Sequence, residues 1–394
     1  MLSLTVAARP TQCRTFPWWP QNLVSDYDWQ VAAADCEGIH VTQEDKQEDI
    51  PAYSFDDVLP ETILHDIHRS GEDYTYDELK QMLHDLREVD PEFVEQYKAE
   101  FVATFSREIV HSDDKVTVLD SFIEGEGKPT RSFVFNDRLH LTQSEVALSV
   151  KSGDSALSFD RSSLALDVHR ALCMPLAWLQ SDQQLTPLRV AVLGAGACSL
   201  PLFLLEQHSP EKLGHLDAIE PSSEVNDIAR RFFGVGTALS RDARFVLHEK
   251  MGEDFLSEQS EDAAFDLLIL DVEAGEGHDG VNAPPLSMLE SSFLFTAKRL
   301  LAGHGILAIN VITESEDALR NVETHLGQAF SRGLQLSLPS NSVYFLLNDN
   351  GAESPYDVGE YIQQLKESTF QTQYACTTQL LEKNRLTMWL RKER

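Results

Sequence analysis

Short apolar runs alternate with helically spaced apolar residues through the second half of the chain. The runs lie at 190–193, 216–219, 244–248, 265–270 and 306–312, and the helical patterns lie at 199–205, 221–234 and 285–301. Strands and helices in alternation predict a doubly wound, mostly parallel α/β sheet, because each helix returns the chain to the same edge. A last pair of runs, 334–338 and 343–347, predicts an antiparallel hairpin that closes the sheet.

The part of the chain before this alternation shows three other patterns. Residues 1–60 have no sustained period and many acidic and proline residues, which favours an irregular or disordered segment. A capping box at 75–78 and aromatic residues at every fourth position over 93–105 predict a helical extension over 61–120. Apolar and polar residues that alternate on both sides of an Asn-Asp turn predict a β-hairpin region over 121–160.

A helix over 160–179, bent near Pro175, is predicted to lead from the hairpin into the main domain. We place that domain at 161–350. Beyond the last predicted strand we expect a helical tail over 351–394.

A glycine turn follows the first strand of the main domain. Gly194 and Gly196 allow a tight turn at the carboxyl end of this strand, where a ligand can approach closely. Ser199 is a candidate N-cap of the next helix. Glu220 follows the next strand, where nucleotide-binding folds place an acid on the ribose hydroxyls. Because a third glycine is absent, the turn favours S-adenosylmethionine over a dinucleotide, with its methionine end on the turn and its ribose on Glu220.

Polar residues also follow the later strands, namely Asp271, Glu273 and Asn310. The carboxyl ends of parallel strands meet at one edge, so we expect these side chains to lie near the glycine turn. Asp271 is also expected to contact the cofactor.

The composition restricts the partners. A net charge of -32 argues against direct nucleic-acid binding and favours a basic protein partner, although acidic surfaces often serve solubility alone. Five cysteines without CxxC spacing indicate a reducing compartment, and we expect no metal. No apolar run approaches the length of a membrane span, so we expect a cytoplasmic protein without membrane contact.

Several segments resemble one known family. They are TQSEVALSV, VLGAGACSLPLFL, DAIEPSSEVNDIARRFFG, FDLLILDVE and GILAINVI, which follow one another over about residues 130–350. In order and spacing they are similar to the C-terminal, spermidine-synthase-like domain of the methyltransferase-like protein 13 family. The resemblance does not extend to residues 1–120. It implies a seven-stranded class I methyltransferase that uses S-adenosylmethionine. It also implies methylation of a lysine or the N-terminal α-amine of a protein, with translation elongation factor 1-alpha as substrate.

The resemblance also suggests roles for single residues. The oxygens of Asp271, Glu273 and Asn310 would accept hydrogen bonds from the N–H groups of the amine and aim its lone pair at the methyl group, without a dedicated base. His169 matches a residue beside the cofactor in the polyamine-synthase group, although a histidine on an apolar helix is also common in protein cores. The family carries an adenine-contacting acid after the third strand, and alignment on Gly252 places Met251 there. Methionine can pack on the adenine but cannot accept a hydrogen bond from its amino group. Glu249 would accept this hydrogen bond instead if the loop shifted.

Two alternatives belong to other functional classes. A spermidine-synthase-like aminopropyltransferase needs a DxxDP-type segment after the fourth strand, whereas this chain has Asp271-Val-Glu-Ala-Gly275. A non-catalytic binding module with the same fold is the second alternative, and Met251 is its main support. The resemblance leaves open whether the chain forms a homodimer, as polyamine synthases commonly do.

Overall fold

A computed structural model gives the fold. It describes residues 26–34, 81–82, 84–85, 89, 105–123, 129–136, 142–150, 157–179, 186–260, 262–274, 280–348, 358–367, 380–381 and 384–390. The chain divides into two compact units, Met1–Thr142 and Gln143–Arg394. The predicted capping box at 75–78 and the aromatic residues at 93–101 lie outside the described residues.

The first unit contains three consecutive antiparallel strands. Helix α1 spans Asp26–Ala34, and strands β1, β2 and β3 span Phe105–Ser112, Val116–Ile123 and Thr130–Phe135. β1 pairs with β2, and β2 pairs with β3. Leu119 and Val134 are buried against each other, and Val31 packs against them.

Two predictions for this unit are wrong in the described residues. The sequence predicts helix over 61–120, but 105–112 and 116–123 are strands, because buried β-branched residues such as Val116 and Val118 suit a pleated sheet. The sequence also predicts an irregular segment over 1–60, but 26–34 is helical. Three consecutive alanines at its end have the highest helix propensity.

The second unit carries the remaining strands. They are β4 Thr142–Val150, β5 Leu157–Asp160, β6 Leu188–Leu193, β7 Leu213–Ile219, β8 Phe245–His248, β9 Phe265–Leu270, β10 Val281–Ala283, β11 Leu301–Thr313, β12 Arg332–Ser337, β13 Ser342–Leu347 and β14 Arg385–Leu390. β4 and β5 pair as an antiparallel hairpin. The large sheet has the order β14-β12-β13-β11-β9-β6-β7-β8, and β10 pairs with β11.

Helices connect these strands. They are α2 Asp167–Leu172, α3 Pro175–Leu179, α4 Ser199–Gln207, α5 Ser223–Phe232, α6 Val235–Arg241, α7 Gly252–Ser257, α8 Ser291–Leu300, α9 Glu316–Ala329 and α10 Val358–Glu367, with a 3₁₀ helix at Leu286–Leu289. β8, β7, β6, β9 and β11 run parallel, and β13 is antiparallel to both β11 and β12. Without β10 and the edge strand β14, seven strands remain, and their order confirms the predicted doubly wound, mostly parallel sheet of the seven-stranded class I type.

Three helix predictions for this unit need correction. The predicted helix over 160–179 begins only at Asp167, and Pro175 starts a separate helix because it has no N–H to continue α2. The predicted helix over 285–301 is divided by Glu290, which has extended backbone. The tail at 351–394 contains α10, but it also contains β14, which pairs with β12 as the edge strand of the sheet and whose Leu386 and Trp389 are buried.

Candidate functional site

The ends of the central parallel strands lie in one row. Leu193 of β6 pairs with Ile219 on one side and Leu270 on the other, and Leu270 pairs in turn with Ile309. The next residues along the chain are Gly194, Glu220, Asp271 and Asn310. The structure therefore brings these four sequence-predicted residues together at the carboxyl edge of the sheet, as expected for parallel strands.

Gly194 begins the turn after β6, and no side chain fits at its position. Its φ is 83°, and a Cβ would lie 2.0 Å from the backbone oxygen of Asp271. The Asp271 N–H donates to the Leu193 oxygen at 2.9 Å, which fixes this close approach between two strand ends. Glycine is required here both for the backbone conformation and for the space.

Gly196 approaches a side chain that sequence reasoning missed. Its φ is 52°, and a Cβ would lie 2.8 Å from Ser144 Oγ. Ser144 lies on β4, is 3% exposed, and accepts a hydrogen bond from the Ala197 N–H at 3.1 Å. Only the alternation along β4, which turns Ser144 inward, could have pointed to it.

The backbone N–H groups of the turn are all engaged. Those of Gly194 and Ala195 donate to the Ile219 oxygen, both at 3.0 Å, and that of Cys198 donates to the Ala195 oxygen at 2.8 Å. The Gly196 N–H donates to the Glu220 side chain, and the Ala197 N–H donates to the Ser144 side chain. The contact of Gly194 and Gly196 with the methionine end of a cofactor stays a prediction, and the two glycines leave space for a ligand to approach the backbone.

Cys198, rather than the predicted Ser199, is the N-cap of α4. It has a φ of 60° and makes no side-chain cap hydrogen bond. This left-handed residue carries the chain from the glycine turn directly into the helix, so Ser199 is already the first helical residue. Burial raises the pKa of the Cys198 thiol far above its usual range, and the nearby Glu220 charge acts in the same direction.

Glu220 is held by backbone donors. Its Oε2 accepts from the Gly196 N–H at 3.1 Å, and its Oε1 accepts from the Ser222 N–H at 3.0 Å. Asn226 donates to the Glu220 carbonyl at 2.9 Å. Burial raises the pKa of the Glu220 carboxyl, and the two backbone hydrogen bonds partly oppose this shift. Each oxygen retains a lone pair, so the carboxylate can accept from two neighbouring hydroxyl groups.

Asp271 contacts side chains rather than backbone N–H groups. Asn310 Nδ2 donates to Oδ1 at 2.9 Å, and His169 Nε2 lies 3.2 Å from Oδ2. Asn310 Oδ1 accepts in turn from Asn341 Nδ2 at 2.8 Å. The Asp271 side chain is 16% exposed. His169, which α2 contributes, thus contacts the predicted site, while within the described part of the chain its Nδ1 has no hydrogen-bond partner.

The remaining predicted residues follow the neighbouring strand ends in the sequence. Glu273 is exposed and follows Asp271 by two positions. Met251 precedes α7 and is 49% exposed, and Glu249 is also exposed. Gly252 is buried, and a Cβ there would lie 2.7 Å from Leu193 Cδ2, while its predicted contact with the cofactor stays a prediction. The predicted contact of Met251 with adenine stays a prediction.

Metal ligation and the apolar character of helices are two further features of the described residues. No group of three or more His, Cys, Asp or Glu side chains there could hold a metal ion. In the same residues, no helix has the length and apolar character needed to cross a bilayer.

Curated relatives are similar to part of the chain. The bovine eEF1A lysine and N-terminal methyltransferase is 31% identical over 160 residues, which cover 39% of this chain and 22% of the relative. The human protein of that name is 29% identical over 161 residues, with the same coverage of 39% and 22%. The predicted resemblance is confirmed. A homolog from Drosophila melanogaster is 23% identical over 236 residues, which cover 58% of this chain and 34% of the relative. The chain thus spans well under half the length of these relatives.

Solved structures of other proteins are also similar to this chain. The crystal structure of human methyltransferase-like protein 13 in complex with SAH has a TM-score of 0.44 and 24% identity, covering 53% of this chain and 93% of that one. A probable spermidine synthase from Corynebacterium glutamicum has a TM-score of 0.49 and 16% identity, covering 70% and 88%. No family model matches the chain.

Proposed function

We propose that this protein is an S-adenosylmethionine-dependent methyltransferase that acts on an amine of a protein. The observation that carries the proposal is the pair of carboxylates beside the glycine turn. Glu220 has two fixed oxygens with free lone pairs, and Asp271 has its two oxygens oriented by Asn310 and His169. The first suits a vicinal diol, and the second suits the N–H groups of an amine.

The residues at the turn fit this cofactor. Glu220 would hold the ribose, while Gly194 and Gly196 leave the space for a ligand to lie against the backbone. Met251 and Gly252 border the region proposed for the adenine. When bound, S-adenosylmethionine supplies a methyl group on a positively charged sulfur.

The task of the protein is then to orient a neutral amine. Asp271 accepts hydrogen bonds from the amine N–H groups and turns the nitrogen lone pair toward the methyl group. Glu273, which is exposed at the same strand end, is proposed as a second acceptor. The predicted role of Asn310 changes, because its buried amide donates to Asp271 and accepts from Asn341. We assign Asn310 to holding Asp271 rather than to receiving the amine.

The substrate proposed is elongation factor 1-alpha, because the matched relatives are named eEF1A lysine and N-terminal methyltransferase. The net charge of -32 suits a basic protein partner. An α-amine has a pKa near ~8 and a lysine one near ~10.4, so the α-amine is more often neutral at physiological pH. A cytoplasmic site of action accompanies this substrate. Formation of a homodimer stays a prediction.

A labelled-methyl transfer assay on purified elongation factor 1-alpha, with mass spectrometry of its N-terminal and lysine peptides, tests the proposal. D271N should lower the rate about a hundredfold, because the amine loses its oriented acceptor. D262N is the matched control, since Asp262 is an exposed acid before β9, at the opposite end of that strand, and should retain wild-type rates. Equal rates for both variants would contradict the role of Asp271, and no transfer by the wild-type protein to either kind of amine would contradict the proposed function.

A further inference from the structure

Asn341 lies in the turn between β12 and β13, at the carboxyl end of β11. The turn is closed by a hydrogen bond from the Leu338 N–H to the Asn341 oxygen at 2.8 Å. Ser342, the next residue, pairs with Val311, which follows Asn310. The antiparallel direction of β13 therefore brings the Asn341 side chain to the site, and its Nδ2 lies 2.8 Å from Asn310 Oδ1.

Turn geometry does not explain why an asparagine stands here. Asparagine is frequent in turns because it tolerates a left-handed backbone. Among the described residues with side chains, only Cys198 and Ala263 have positive φ, so Asn341 has an ordinary backbone. The Asn341 side chain instead donates a hydrogen bond to Asn310 on the neighbouring strand β11, and Asn310 is 5% exposed.

The charge of Asp271 determines the direction of both hydrogen bonds that link Asn341, Asn310 and Asp271. An ionised carboxylate only accepts, so Asn310 must present its NH₂ group to Asp271. The Asn310 oxygen then faces the turn, and Asn341 must present its own NH₂ group to that oxygen. The reverse orientation would place the Asn310 oxygen against the carboxylate, where the buried amide has little access to compensating water.

We propose that Asn341 is a positioning residue, which fixes the amide orientation of Asn310 and thereby the hydrogen bond that aims Asp271 at the substrate amine. The proposal rests on the proposed function, since it concerns the acceptor for that amine. Asn341 acts through Asn310 and has no direct part in the transfer.

Three variants separate orientation from general damage to the turn. N341A removes the donor, and N341D replaces it with a carboxylate that attracts the Asn310 NH₂ group and turns its oxygen toward Asp271. S340A is the matched control, because Ser340 is exposed in the same turn. At neutral pH, kcat should fall about tenfold in N341A and about a hundredfold in N341D, with S340A unchanged. KM for the protein substrate should change by less than about threefold in all three.

The pH dependence distinguishes this role from a structural one. A protonated carboxyl donates a hydrogen bond, so the introduced acid should replace the lost NH₂ group as pH falls. The ratio of kcat for N341D to that for N341A should therefore rise toward or above one at acidic pH. The difference between their melting temperatures should close over the same range.

The melting comparison needs no activity, so it separates the two possible failures. If the wild-type protein transfers no methyl group, the proposed function fails, while the melting temperatures still test the amide orientation. A kcat ratio and a melting difference that are both independent of pH would overturn the proposal. Equal losses in S340A and N341A would also overturn it, because they would show that the turn, and not the hydrogen bond, matters.

Discussion

Glu220 and Asp271 occupy equivalent positions on either side of β6, yet they are held in different ways. Each is the first residue after a parallel strand that neighbours β6. Glu220 accepts hydrogen bonds from the backbone N–H groups of Gly196 and Ser222, whereas Asp271 accepts one from the Asn310 side chain and lies 3.2 Å from His169 Nε2. Backbone donors remain when a neighbouring side chain changes, but side-chain donors do not.

The difference suggests a division between a fixed side and an adjustable side. The orientation of the Glu220 carboxylate should stay the same when neighbouring side chains are substituted. It should change only when Glu220 itself or the glycine turn is altered. The Asp271 carboxylate should lose its orientation when any of its partners is replaced, without loss of the fold. Binding and transfer should therefore respond to different sets of mutations.

G194A should have the largest effect, because it disturbs both sides at once. A Cβ would lie 2.0 Å from the Asp271 backbone oxygen at a φ of 83°, which should cost about 4 kcal/mol of folding free energy. G280A is the matched control, since Gly280 also has positive φ but its nearest atom would lie at 3.5 Å, and it should cost about 1 kcal/mol. Urea unfolding measures both. Equal losses would show that the close approach at Gly194 is not tight.

Substitution of His169 should affect transfer alone. H169L removes the ring nitrogen that lies 3.2 Å from Asp271 Oδ2 and should lower kcat about tenfold, with the cofactor dissociation constant almost unchanged. H169Q retains an amide N–H at a similar reach and should recover most of the rate. Single-turnover transfer and calorimetry give the two readouts. If H169L instead weakened cofactor binding and spared transfer, His169 would belong to the cofactor side, as the resemblance suggests.

The pH dependence of stability should show the smallest effect. Burial raises the pKa of Glu220 above its ordinary value of 4.5, so the folded protein binds this proton more tightly than the unfolded chain. The stability that this proton contributes is present at low pH and is lost as pH rises from 4.5 through the raised pKa. Urea unfolding of the wild-type protein and E220Q should show their difference changing over that window. A constant difference would contradict the raised pKa.

The sequence predicted the Glu220 side better than the Asp271 side. The glycine turn and the acid after the next strand form a local pattern, and the structure places both at one edge as expected. The N–H groups of the turn could not be assigned in advance, because their acceptors include Ser144 from a distant strand. The sheet was predicted because its pattern is also local: each apolar run and each helically spaced segment lies within a single strand or helix.

The partners of Asp271 depend on how distant segments pack. His169 was matched only through the resemblance, and Asn341 stood in an ordinary turn motif until the antiparallel register of β13 placed it beside Asn310. The edge strand β14 and the strands over 105–123 were also missed, because their short alternating patterns compete with helical spacing in the neighbouring residues.

Cofactor affinity of E220Q tests the central claim most directly. Both Glu220 oxygens accept backbone N–H groups, so glutamine would have to turn its own NH₂ group toward one of these donors. Calorimetry with S-adenosylhomocysteine should show a dissociation constant about 10- to 100-fold higher than that of the wild-type protein. E316Q, which changes an exposed acid on α9, should bind as the wild type does. Equal affinity of E220Q and the wild type, or no binding by either, would contradict the account.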